Sequence, residues 1–160
     1  MTKAFAVVIA ASVLVSACSK SSTATPPAAP TPATAAVTIA FDSNPVSFSS
    51  AGCSFSTPPG WFTQAKIQET AGVAVTVTTL TQKLDGSAAG VLAESFNSRF
   101  GACSGSIFTP GTIAAGGAVC GTVGVCTTGA YSSYQFSIAG TDANGHAVTF
   151  DSPVLRFNPR

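Results

Sequence analysis

From Val37 onward every apolar run is short, most alternate with a period of two, and each stops at Gly, Pro, Asn or Asp. No window keeps apolar residues three and four apart for long enough to build an amphipathic helix, so this part of the chain is read as strands. Val37 to Phe41 forms a first strand, broken by Asp42-Ser43-Asn44-Pro45. Val46 to Ser50 resumes it on an edge, where a proline is tolerated. Trp61, Thr63, Ala65 and Ile67 share one face and Gln64, Lys66 and Gln68 the other, the pattern of a strand with one side in water. Val73, Val75 and Val77 continue the alternation, but Leu80 and Leu84 fall on the opposite parity, so a bulge is expected near Thr78-Thr79. Asp85-Gly86 closes that strand. Val91 to Phe100 is read as strand, although Val91, Leu92, Phe96 and Phe100 are also spaced for a helical turn. Ile113 and the segment Ala118 to Val125 add two short strands. In the last hairpin Tyr134, Phe136 and Ile138 alternate on one arm and Val148 and Phe150 on the other. Asp142, Asn144 and Gly145 supply turn chemistry between them.

About seven short strands at this spacing predict an all-β, two-sheet sandwich, in which each inner face buries what one sheet alone leaves wet. The hairpin from Tyr134 to Phe150 and the edge segment Asn44-Pro45-Val46 resemble those of bacterial immunoglobulin-like domains of secreted and surface-anchored proteins. The resemblance implies adhesion, spacing or ligand display, with no fixed ligand. The antibody pattern is not met, because Cys53 precedes Trp61 by only eight residues.

The amino-terminal segment reads differently. Lys3 precedes an apolar run from Ala4 to Val15, too short to cross a bilayer core of roughly 30 Å as a helix but suited to an export signal. It ends in Leu14-Val15-Ser16-Ala17-Cys18, which resembles the lipobox of bacterial lipoproteins: an aliphatic residue, two small residues and the cysteine that takes the lipid. By that resemblance residues 1–17 are removed, Cys18 carries the acyl chains, and the mature protein is held to a membrane of the bacterial envelope with its domain outside the cytoplasm. Ser19 and Lys20 follow Cys18 with no acidic residue to resemble an inner-membrane retention signal, which favours the outer membrane. Ser19 to Ala36 contains only Pro, Ser, Thr, Ala and one Lys, so it is expected to be a disordered tether with an upper reach of about 55 Å. The organisation expected is therefore signal peptide 1–17, lipidated cysteine and tether 18–36, and β domain 37–160.

Charge narrows the partners. Asp, Glu, Lys and Arg make up only 8% of the chain, with seven basic residues against six acidic, which leaves no electrostatic footprint for nucleic acid. The partners expected are the membrane, through the lipid, and an envelope protein or glycan. Cys53, Cys103, Cys120 and Cys126 remain once Cys18 is lipidated, an even number in an oxidising compartment. The glycine-containing segment between Cys120 and Cys126 favours joining those two, which leaves Cys53 for Cys103. No cysteine or histidine spacing fits zinc, and no metal or cofactor is implied.

Catalytic patterns are sparse. The single histidine, His146, follows Asp142 by four residues, but a triad needs a serine brought from elsewhere. Asp42, Glu69, Asp85, Glu94, Asp142 and Asp151 are scattered. Asp142 and Asn144 have oxygens suited to calcium, without the acidic density of a dedicated site. Trp61 with Phe62 is the candidate ligand platform, although the alternation turns Trp61 inward. Two functions are expected in order: a non-enzymatic, lipid-anchored binding, adhesion or spacer module, then a carbohydrate-binding or carbohydrate-processing accessory lipoprotein.

Overall fold

A computed structural model describes residues 31–50, 59–127 and 129–160, and for 88–94 the backbone alone. The export segment, Cys18, most of the tether and Cys53 lie outside the described residues. The elements in chain order are β1 (Val37–Phe41), β2 (Gly60–Glu69), β3 (Val75–Leu84), β4 (Ser87–Glu94), α1 (Phe96–Arg99), β5 (Phe100–Ala102), β6 (Thr112–Ile113), β7 (Ala118–Cys126), β8 (Ser133–Asp142), β9 (Ala147–Asp151) and β10 (Leu155–Arg156).

One antiparallel sheet runs β1-β2-β7-β5. The other is built on the β3–β8 pair: β4 and β6 lie on β3, and β9 and β10 lie on β8. The chain therefore lays β1 and β2 in the first sheet and β3 and β4 in the second. It returns to the first for β5 and β7 and crosses back for β8 and β9. This is the connectivity of the immunoglobulin sandwich, A-B-E-D facing C-F-G with an added strand beside C.

Alternation decides which side chains meet between the sheets. Trp61, Thr63, Ala65 and Ile67 of β2 are all buried, while Gln64 and Lys66 are exposed. The bulge on β3 lies between Val77 and Thr79, where its pairing with β8 shifts register and restores Leu80, Gln82 and Leu84 to the inner face. Asp85 and Gly86 have φ of 51° and 68°, the pair of left-handed residues that a two-residue hairpin needs to match strand twist. The centre of the core is Phe136, fully buried on β8, with Phe41 and Phe100 of the facing sheet at centroid distances of 6.2 and 5.6 Å. Antibody domains place a cysteine two residues after the tyrosine that opens this strand, to staple the sheets together. Here Phe136 stands two residues after Tyr134, and aromatic packing joins the sheets instead. The Tyr134 hydroxyl donates to Gln82 Oε1 at 2.6 Å.

Two expected strands are corrected. Val46 to Ser50 is not a strand, because Val46 and Ser49 make only isolated bridges, to Phe157 and Gly60. Val91 to Phe100 is not continuous either: β4 ends at Glu94, and Phe96–Arg99 makes one helical turn that stacks Phe96 on Phe100 at 5.1 Å.

The inner faces of β2 and β8 both end in an acid. Glu69 has the same parity as Trp61 to Ile67, and Asp142 the same parity as Tyr134 to Ile138, so each points into the end of the sandwich and is buried. A buried carboxylate stays charged only if donors replace its water. Glu69 accepts from the backbone N–H groups of Ala71, Gly72 and Gly116 at 2.8 Å each and of Ala36 at 3.4 Å. Asp142 accepts from the N–H groups of Ala35 at 3.2 Å and of Asn144 and His146 at 2.9 Å each. Asn144 Nδ2 also donates to Ala33 O. Residues Ala33 to Ala36, assigned by composition to the tether, are thus fastened between the two sheets, with Ala35 buried.

Burial alone would raise both carboxyls, but the donors outweigh it. Glu69 lies below its ordinary 4.5 through the N–H groups of Gly116, Ala71, Val73 and Ala36. Asp142 falls from 3.8 to about 2 through His146, Ala35 and Asn144. Since the folded values lie below the unfolded ones, the unfolded chain takes up protons first as pH falls. The stabilisation is present above the unfolded values of 4.5 and 3.8 and is lost as pH falls through the folded ones, about 2 for Asp142. Thermal melts should therefore be flat from pH 8 to 5 and fall below that. Glu69→Gln, which sets an amide N–H against backbone donors, should lower stability at pH 7 by about 2 kcal/mol or more and flatten the acid limb.

Candidate functional site

At the other end of β2 and β8 a second group of aromatic residues gathers around Trp61. Trp61 begins β2 and is 2% exposed. Phe157, just beyond β10, stacks on it at 5.1 Å with rings 11° apart, and Phe48 meets it edge-on at 4.8 Å. The indole Nε1 donates to Asn158 O at 2.9 Å. Gly124 has φ +134°, and a Cβ there would lie 2.1 Å from the Trp61 carbonyl oxygen, so glycine is required for β7 to pass.

The terminal residues complete the arrangement. The Arg160 guanidinium sits 4.4 Å from the Phe48 ring centroid and 5.0 Å from that of Trp61. Its Nη2 donates to the carbonyls of Thr127 and Gly129 at 3.3 and 3.0 Å. Between this strap and the segment Ala130 to Ser132 lies a pocket of about 320 Å³, with Trp61, Tyr131 and Phe157 among its walls and Arg160 the charged residue lining it. Asp85 lies behind the wall: its Oδ1 accepts from both the N–H and the hydroxyl of Ser132 and of Ser133. These donors outweigh burial and hold the Asp85 carboxyl below its ordinary value. No family model, curated protein or solved structure matches the chain.

The residues singled out in the sequence are placed as follows. Trp61 and Phe62 do not form a platform, because neighbours on a strand point to opposite faces. Trp61 enters the core, and its rings are covered by Phe157, Phe48 and Arg160. Asp142 and His146 do come together, with Nδ1 and Oδ2 at 3.0 Å, and the imidazole is partly exposed. Among the described residues no serine hydroxyl is hydrogen-bonded to His146, and the Asp142 carboxylate is occupied by backbone N–H groups. The same occupancy removes Asp142 as a calcium ligand, and Asn144 spends its amide on Ala33. No cluster of three or more metal-ligating side chains occurs among the described residues.

The cysteine pairing is corrected. Cys120 and Cys126 lie on one extended strand, β7, which holds them about 20 Å apart. Cys120 is instead bonded to Cys103, with Cα atoms 4.8 Å apart, because β5 pairs with β7 so that Gly101 faces Cys120. Cys126 is also disulfide-bonded, and Cys53 lies outside the described residues. Non-reducing peptide mapping should recover Cys103 linked to Cys120, and Cys126 in a second linked peptide. A Cys120–Cys126 peptide would contradict the strand.

The pocket, by contrast, is assembled from three distant segments, and no local motif marks it. The one available signal was composition: Trp61 is the single tryptophan, and Arg160 one of few charged residues, in a chain of small side chains.

Proposed function

We propose that the protein is a non-enzymatic, lipid-anchored component of the bacterial cell envelope that displays an immunoglobulin-like binding module on a short tether. The observation that carries the reading is the opposition of two features along the same strands. Ala35 and Ala36 are gripped by Asp142 and Glu69, the last residues of β8 and β2, and Ala33 by Asn144 just beyond β8. The pocket lies where β2 and β8 begin, at Trp61 and Ser132. Ten residues of strand separate the two ends by about 30 Å. A chain tethered at one end therefore presents its pocket at the other, away from the surface that holds the tether.

Attachment rests on the lipobox resemblance at Leu14 to Cys18, and a non-enzymatic role on the use of carboxylates as backbone clips. The carbohydrate alternative drew on Trp61 with Phe62, and the burial of Trp61 leaves no ring face for a sugar.

Two experiments test the reading. Labelling of cells with an alkyne fatty acid should tag the wild-type protein and not Cys18→Ser, which should appear in the soluble envelope fraction. An untagged, uncut precursor in the cytosol would overturn attachment. A photo-crosslinking residue at Ala130, beside the pocket, should capture an envelope component in intact cells, and one at Thr70, beside the tether, should not. Capture from Thr70 alone would reverse the orientation.

A further inference from the structure

We infer that the pocket beside Arg160 binds a small carboxylate borne on a flat, apolar group. This rests on the reading of the domain as a binding module and names the chemistry of its ligand.

The argument begins with the guanidinium. Arginine has five N–H donors in a planar fork that matches the two oxygens of a carboxylate. Nη2 is committed to the Thr127 and Gly129 carbonyls, while Nε and Nη1 have no hydrogen-bond partner among the described residues. Those same carbonyls, with the rings of Phe48 and Trp61, hold the group in place, so a ligand does not have to order a mobile side chain. No acidic side chain lines the pocket to pair with it, and the Asp85 carboxylate behind the wall is turned to the donors of Ser132 and Ser133. A guanidinium with donors to spare and no acidic side chain in the lining fits a ligand that offers a carboxylate.

The walls decide the rest of the molecule. A volume of about 320 Å³ is at the small end of ligand pockets, enough for a compact organic acid and too small for a glycan chain. Trp61, Phe157, Ala130 and Pro159 give it apolar sides. Tyr131, half-buried, contributes a hydroxyl with no hydrogen-bond partner among the described residues, a second polar contact for the carboxylate. A flat apolar body laid against the half-buried Tyr131 ring, Ala130 and Pro159, with its carboxylate at Arg160, uses these features without needing a face of the covered Trp61. Such a group occurs in a free arylalkyl acid and at the carboxyl end of a peptide finishing in an aromatic residue.

Trp61, the sole tryptophan, reports on the pocket directly. The full lipoprotein in detergent would be titrated with phenylacetate and phenylacetamide, and with N-acetyl-Ala-Phe and its carboxamide, following Trp61 emission. Both acids should saturate at or below about 1 mM, with each amide weaker by about tenfold or more. Whichever acid binds more tightly identifies the source. Arg160→Gln should abolish the preference for acid over amide, and Arg160→Lys, which keeps charge but loses the fork, should retain part of it. Equal binding of acid and amide by the wild-type protein, or no saturation by either acid, overturns the inference without recourse to any variant. Saturation by a neutral envelope glycan in the same assay, with no response to the acids, would also overturn it while leaving the binding-module reading intact. Failure of Ala130 to crosslink in cells would instead count against that reading.

Discussion

A carboxylate placed at the end of a buried strand face must either find donors or give up its charge, and in this domain Glu69 finds four backbone N–H groups. They come from the lead-in to β1, the β2–β3 turn and the β6–β7 turn, so one side chain fixes the relative positions of three loops. Asp142 does the same on the facing sheet, closing its own hairpin and taking Ala35 from the lead-in. The open end of a sandwich, where backbone groups would otherwise need water, is thereby satisfied from within. Removing either acid strands several buried amides at once, a larger loss than any single surface ion pair would cause.

This use of acids also bears on the scarcity of charge. Glu69, Asp85 and Asp142 each serve as backbone clips and contribute little to solvation. The outer faces are covered by small hydroxyl-bearing residues instead, with Thr76, Thr78, Thr79, Thr141 and Thr149 all exposed on the β3–β8–β9 face. A surface of this kind meets water through hydrogen bonding more than through charge.

Much of the fold was legible because alternation is a local property. The inward set on β2, the bulge at Thr78-Thr79, the Asp85-Gly86 turn and the closing hairpin each follow from residues close to one another in sequence. What depends on register between distant strands was not legible. Cys120 meets Cys103 only because β5 docks on β7 with Gly101 opposite Cys120, and spacing in sequence has no access to that pairing. Phe96–Arg99 turns helical because the chain must leave β4 and begin β5 in the other sheet, a tertiary demand that the spacing of Phe96 and Phe100 permitted but did not compel. The roles of Glu69 and Asp142 had a signal that went unused: each occupies the inward parity of an otherwise apolar face, and a charged residue there has to be paired.

The pocket and the clamp become related through β2 and β8, and that relation has a mechanical consequence. A pull on the chain ahead of Ala33 is not borne by β1 alone, whose five residues pair only with β2. It is shared by the bonds from Ala35 and Ala36 to the two buried acids, one in each sheet, and by the bond from Thr70 N–H to Ala36 O. Both acids belong to ten-residue strands with long ladders to their neighbours, β2 to β7 and β8 to β3. A load applied ahead of Ala33 therefore passes into two long, doubly flanked strands, β2 and β8, and toward the pocket at their far ends. Peeling away the edge strand first requires that the acids lose their amides, so the same interactions that close the sandwich also resist its opening from the β1 side.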